Sequence, residues 1–143
     1  MHLKQDKKPK KMPKIDSLLL PLEKFRIIDE QKLYLQPNFN IVTLEKLLGA
    51  SFRSLTLSMH YYFDCSLLDY VKKKRVKYVR KKIKDGTITS YDDIVAMIGN
   101  ASTFSNDYAK AFGKTPEALF ECYKKLEELQ ALMHTYDYDV QVK

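Results

Sequence analysis

A chain of 143 residues with a 45% hydrophobic share, four glycines and five prolines can bury one or two small cores and has the composition of a helical protein. No apolar run approaches the roughly 20 residues of a membrane span and the first residues lack a signal-peptide core, so a cytoplasmic protein with no membrane partner is expected. The net charge of +7 is concentrated, which excludes a uniformly basic surface: residues 1–14 alone carry +5, residues 72–84 hold nine Lys or Arg, and residues 116–143 are net acidic.

Residues 1–14, MHLKQDKKPKKMPK, have no hydrophobic period and two prolines, and read as a disordered basic arm. Residues 15–39 form an N-terminal helix and connector: Asp16 or Ser17 caps a helix whose Leu18, Leu22, Phe25 and Ile28 share a face, and KLYLQPN at 32–38 ends it. Asn40 or Thr43 opens a short helix with Leu44, Leu47 and Leu48 apolar, closed by Gly49. Ser51 starts the next, which runs through about Phe63.

A longer helix follows from Ser66 to Ile83, broken by Asp85-Gly86. Its Lys73, Lys74, Lys77, Arg80, Lys81 and Lys84 fall on one side; Leu67, Leu68, Val71, Tyr78, Val79 and Ile83 fall on the other. Arg75 lies within the apolar stripe and reads as structural, paired to a buried carboxylate or a backbone carbonyl. Ser90 caps a helix with Ile94, Val95 and Ile98 inward, ended by Gly99. Another covers about Ser102 to Phe112, and Pro116 begins a last helix to about Thr135. Short helix, glycine turn, short helix thus occurs twice, with Gly49 and Gly99 at matching points. An all-α fold follows: two helix-turn-helix units joined by a long linker helix, with extra N- and C-terminal helices.

Residues 40–120 resemble the DNA-binding domain of the AraC/XylS family of transcription regulators. Gly49, Ser51, Leu55, Met59, Tyr70 and Arg75 carry the likeness in the first half. Ile94, Gly99, Ser102-Thr103-Phe104, Tyr108, Gly113 and Pro116 carry it in the second. Asn100 stands where that family usually has an aromatic residue, and Asp64 where it usually has glycine. The resemblance implies a sequence-specific, double-stranded-DNA-binding regulator that places two recognition helices in consecutive major-groove faces. Carried over by position, Arg53, Thr56 and Leu57 of the first helix and Ser102, Thr103 and Asn106 of the second would meet base edges. Arg53 suits guanine, Asn106 suits adenine, and Thr56 or Leu57 suits a thymine methyl. Phosphates would be met by Ser51, Lys73, Lys77, Arg80, Lys81, Lys84 and Lys110.

The extension at 121–143 continues a seam in which Leu119, Leu126 and Met133 alternate with Cys122, Leu129 and Tyr136. It could pair with a second copy of the chain or lie on the chain's own first helix. Cys65 and Cys122 read as reduced packing residues. His2, His60 and His134 are scattered, so neither a metal, a cofactor nor enzymatic chemistry is expected. The rival reading keeps the fold but makes it a protein-interaction module with only non-specific DNA affinity, because His60, Tyr61 and Ala109 occupy places where Lys or Arg would assist DNA.

Overall fold

The computed structural model describes residues 15–99 and 103–142, with side chains at 17–99 and 103–135. Every regular element among them is helical. The basic arm at 1–14 and Ser102 lie outside the described residues.

The chain divides into two compact units. The first comprises the residues up to Leu33 together with Asn38–Tyr70; the second comprises Tyr34–Pro37 together with Val71 onward.

In the first unit, one expectation is corrected. The N-terminal region is not a single helix but α1 (Ile15–Leu18), a 3-10 turn (Leu22–Phe25) and α2 (Arg26–Glu30). Pro21 is the reason: it has no amide hydrogen and forces Leu20 out of the helical region. The broken segment is held by tertiary bonds instead. The Leu20 amide donates to Ser58 Oγ at 3.0 Å, and the Tyr62 hydroxyl donates to the Leu20 carbonyl at 2.6 Å. Phe25 is buried and packs its ring against Tyr62 and Phe63, while Leu22 stays exposed.

Next come α3 (Ile41–Leu48) and α4 (Phe52–Phe63). Asn40 resolves the open choice of cap, since its Oδ1 accepts from the Thr43 amide at 3.0 Å. Gly49 ends α3 in the left-handed region, and Ser51 Oγ caps α4 by accepting from Ser54 at 3.1 Å. Asp64 ends α4 at φ 56°, in a left-handed conformation normally left to glycine. Leu44, Leu55, Ser58 and Met59 are buried here.

Helix α5 (Leu67–Lys84) changes its buried side along its length. Leu67 and Val71 are buried near its start; Val76, Val79 and Ile83 are buried about 120° further round, at about 100° per residue. Leu68, expected to be inward, lies between these stripes and is 62% exposed.

The second unit closes around Val76, Val79, Ile83, Ile88, Ile94, Ile98, Phe104 and Tyr108. It is built from α5, α6 (Tyr91–Ile98), α7 (Phe104–Phe112) and α8 (Pro116–Val142). Ser90 caps α6, and Asp93 reaches back to accept from the Thr89 amide at 3.0 Å and the Thr89 hydroxyl at 3.2 Å. The four-residue segment Tyr34–Pro37 straps this unit: Arg75 donates through Nε to the Tyr34 carbonyl and through Nη2 to the Gln36 carbonyl at 2.8 Å. Arg75 is therefore structural, with backbone carbonyls as its partners. Helix α8 runs past Thr135, where the sequence expectation ended it. All of its side chains from Glu121 to Thr135 are exposed.

Candidate nucleic-acid interface

Helix α4 offers one outward face. With Leu55, Ser58 and Met59 facing inward, the three- and four-residue spacing brings Arg53, Thr56, Leu57 and His60 together on the opposite side. Arg53 and His60 are exposed; Thr56 and Leu57 are half-buried. The expected base-edge residues of the first unit therefore do share a surface. Ser51 sits at its N-terminal end, exposed, with Oγ engaged as the cap. Two residues flank this face that sequence reasoning did not single out as contacts: Phe52 at 56% and Tyr61 at 67% exposed. Tyr61 shares the outward register of the α4 wheel, whereas Phe52 has the register of buried Met59 and is exposed at the helix start.

Helix α7 buries Phe104 and Tyr108 and half-buries Phe112, one side of a helix at four-residue spacing. Thr103, Asn106 and Lys110 stand exposed on the other side. Asn106 projects outward from this side. Thr103 is more constrained, since its hydroxyl donates to Asp107 Oδ2 at 3.1 Å. That bond brings a carboxylate to the edge of this exposed face. Ser105 similarly donates to Glu117 Oε1 at 3.3 Å, tying the first turns of α7 and α8.

The basic side of α5 divides. Lys77, Arg80, Lys81 and Lys84 line a shallow groove of about 430 Å³ whose remaining wall is Phe112. No carboxylate lines it, so the groove is a region of positive potential. Lys73 is exposed and Lys74 half-buried, both outside that lining.

Arg80, expected on the basic side as a phosphate contact, is more enclosed than the lysines around it. It is half-buried, its guanidinium carbon lies 4.1 Å from the centroid of the Phe112 ring, and its Nε is buried without a hydrogen-bond partner. Stacking on an aromatic face fixes a guanidinium while leaving its outer N–H groups for a phosphate. The signal for this pairing was absent from the sequence, because Arg80 and Phe112 are 32 positions apart.

Charge states follow from local contacts. Burial pushes the Arg75 guanidinium below its ordinary value, and burial raises the Tyr108 phenol. The hydrogen bonds from Thr89 hold the Asp93 carboxyl below the usual carboxylate range, and those from Thr87 do the same for Asp85. Asp85 also meets Lys82 at 3.9 Å. Among the described residues, no group of three or more His, Cys, Asp or Glu is placed to hold a metal ion, and no helix is long and apolar enough to cross a membrane.

Comparison with models of known protein families, with curated proteins and with solved structures returned no match.

Proposed function

We propose that the protein is a sequence-specific DNA-binding regulator that uses α4 and α7 as recognition helices, as the AraC-type resemblance implies. The observation that carries this reading is the repeat itself. Each unit presents a short capped helix, a positive-φ glycine and a second helix whose early exposed residue suits a bidentate base contact, Arg53 in one and Asn106 in the other. Arg53 matches guanine O6 and N7, and Asn106 matches adenine N6 and N7.

The phosphate-binding part of this reading rests on the α5 groove. Lys77, Lys81 and Lys84 supply mobile charge around the stacked Arg80, and Lys110 adds charge beside Asn106. Each phosphate neutralised in this way lowers the slope of log K against log salt by about 0.9.

Selection of the full chain against a randomised duplex pool, in competition with bulk DNA, tests the proposal. An enriched motif of two blocks is expected. Arg53→Ala should relax one block and Asn106→Ala the other, each losing about 1–3 kcal/mol of discrimination. Uniform, salt-sensitive binding to every duplex would overturn it.

A second reading has its own support. Exposed Phe52 and Tyr61 beside Arg53, and Asp107 beside Thr103, are features of a protein-binding face rather than a phosphate-flanked one. In that reading Arg53→Ala changes no DNA preference, because there is none to change.

A further inference from the structure

We infer that α8 is a self-association helix, and that its apolar seam is covered by α8 of a second copy of this chain. The inference goes beyond the DNA-reading proposal and does not depend on it.

The argument begins with what α8 lacks. From Glu121 to Thr135, about four turns of helix, every side chain is exposed. These turns prolong a 27-residue helix beyond the part that packs on its own unit. Yet this stretch displays Tyr123, Leu126, Leu129, Leu132 and Met133 at 36% to 66% exposure. Taking a large apolar side chain as about 200 Å², these fractions leave about 500 Å² of apolar surface on each copy.

Pairing two such faces would bury about 1,000 Å², the lower bound for a specific interface between proteins. The spacing matches that use. Cys122, Leu126, Leu129 and Met133 alternate four and three apart, the a and d positions of a coiled-coil seam, continuing from Leu119, which packs on its own core.

The charge pattern selects the occupant. Glu121, Lys124, Glu127 and Glu128 lie off the seam, and the positions flanking it between 119 and 133 carry a single charge, Lys125. In a parallel, in-register pair that lysine faces Gln130 of the other copy. A self-complementary stripe without opposed like charges is what a two-fold interface requires, since each copy must present the same surface to the other. A groove of about 570 Å³ adjoins the seam, with Tyr123, Leu126 and Gln130 on one wall and Ile83 and Ile88 on the other.

Sedimentation equilibrium of the full chain without DNA, from about 1 to about 200 µM, is the test. A monomer–dimer equilibrium with Kd on the order of 10 µM is expected for an interface of this size. The helical signal at 222 nm should rise with concentration over the same range. Leu126→Lys combined with Leu129→Lys should weaken dimerisation at least tenfold. Both side chains are exposed, so the thermal midpoint of the monomer should not move. Glu127→Gln, off the seam, should leave dimerisation intact. A monomer throughout the range would assign the seam to a different partner and overturn the inference, as would a double-lysine variant that still dimerises.

Discussion

Gly99 is the position where one methyl group should cost most. It ends α6 at φ 80° and ψ 179°, a backbone region that only glycine occupies without strain. An added Cβ would stand 2.8 Å from Pro37 Cγ and 3.0 Å from Pro37 Cβ. Two costs are therefore expected in Gly99→Ala: backbone strain of about 1–3 kcal/mol, and a steric cost of about 1–2 kcal/mol because the proline ring cannot swing aside. Gly49→Ala is the control. Its φ is 61° and nothing lies within 4 Å of the new Cβ, so only the left-handed backbone cost of about 1–2 kcal/mol applies.

Urea unfolding followed at 222 nm should rank Gly99→Ala as the more damaging substitution by about 1–2 kcal/mol. A double-mutant cycle isolates the steric part. Pro37→Gly removes both crowding carbons and leaves only Cα at 4.0 Å, so Gly99→Ala should cost less in that background. Equal losses at Gly49 and Gly99, with no coupling to Pro37, would refute the reasoning.

Other substitutions test other contacts. Asp64→Gly should raise stability by about 1 kcal/mol, because glycine adopts φ 56° without the Cβ penalty that Asp64 now bears; a thermal melt checks the sign. Arg75→Met should cost about 2–3 kcal/mol by losing two charged hydrogen bonds to the strap carbonyls, and Arg75→Lys should restore less than half of it, read by urea unfolding. The Asp93 carboxyl is held low by the Thr89 amide, so its stabilising contribution is complete above the unfolded carboxylate value of about 3.9 and is lost as pH falls through the folded value. Melts of the native chain and Asp93→Ala should therefore differ at neutral pH and converge below about pH 4; a constant gap would exclude this role.

The helices were legible in the sequence wherever their ends are fixed by local chemistry. Asn40, Ser51 and Ser90 cap with side chains that reach an amide three residues on, and Gly49, Gly99 and Gly113 end helices through their own backbone freedom. Arg75 was legible as structural because it interrupts an apolar stripe. What escaped required the third dimension. Leu68 falls between two buried stripes that a single helical wheel merges, and Arg80 meets a ring far along the chain. Leu18, Leu22, Phe25 and Ile28 share a helical face in the sequence, but Pro21 within that span breaks the helix. On the candidate interface, the outward register of Arg53 and Asn106 follows from periodicity alone. The hydroxyl bond from Thr103 to Asp107 does not, because Thr103 stands outside the regular helix at φ −98° and ψ 0°.

The strap at Tyr34–Pro37 makes the chain impossible to dissect with one cut. A fragment beginning at Val71 would contain the helices of the second unit but not the carbonyls that Arg75 holds or the ring against which Gly99 is fitted. A fragment ending at Tyr70 would carry the strap with nothing to bind. During synthesis, the strap leaves the ribosome before its acceptor helices exist and must wait for them. This four-residue piece is made before the rest of the second unit, and it can dock only once Arg75, 39 to 41 positions further along, has been added.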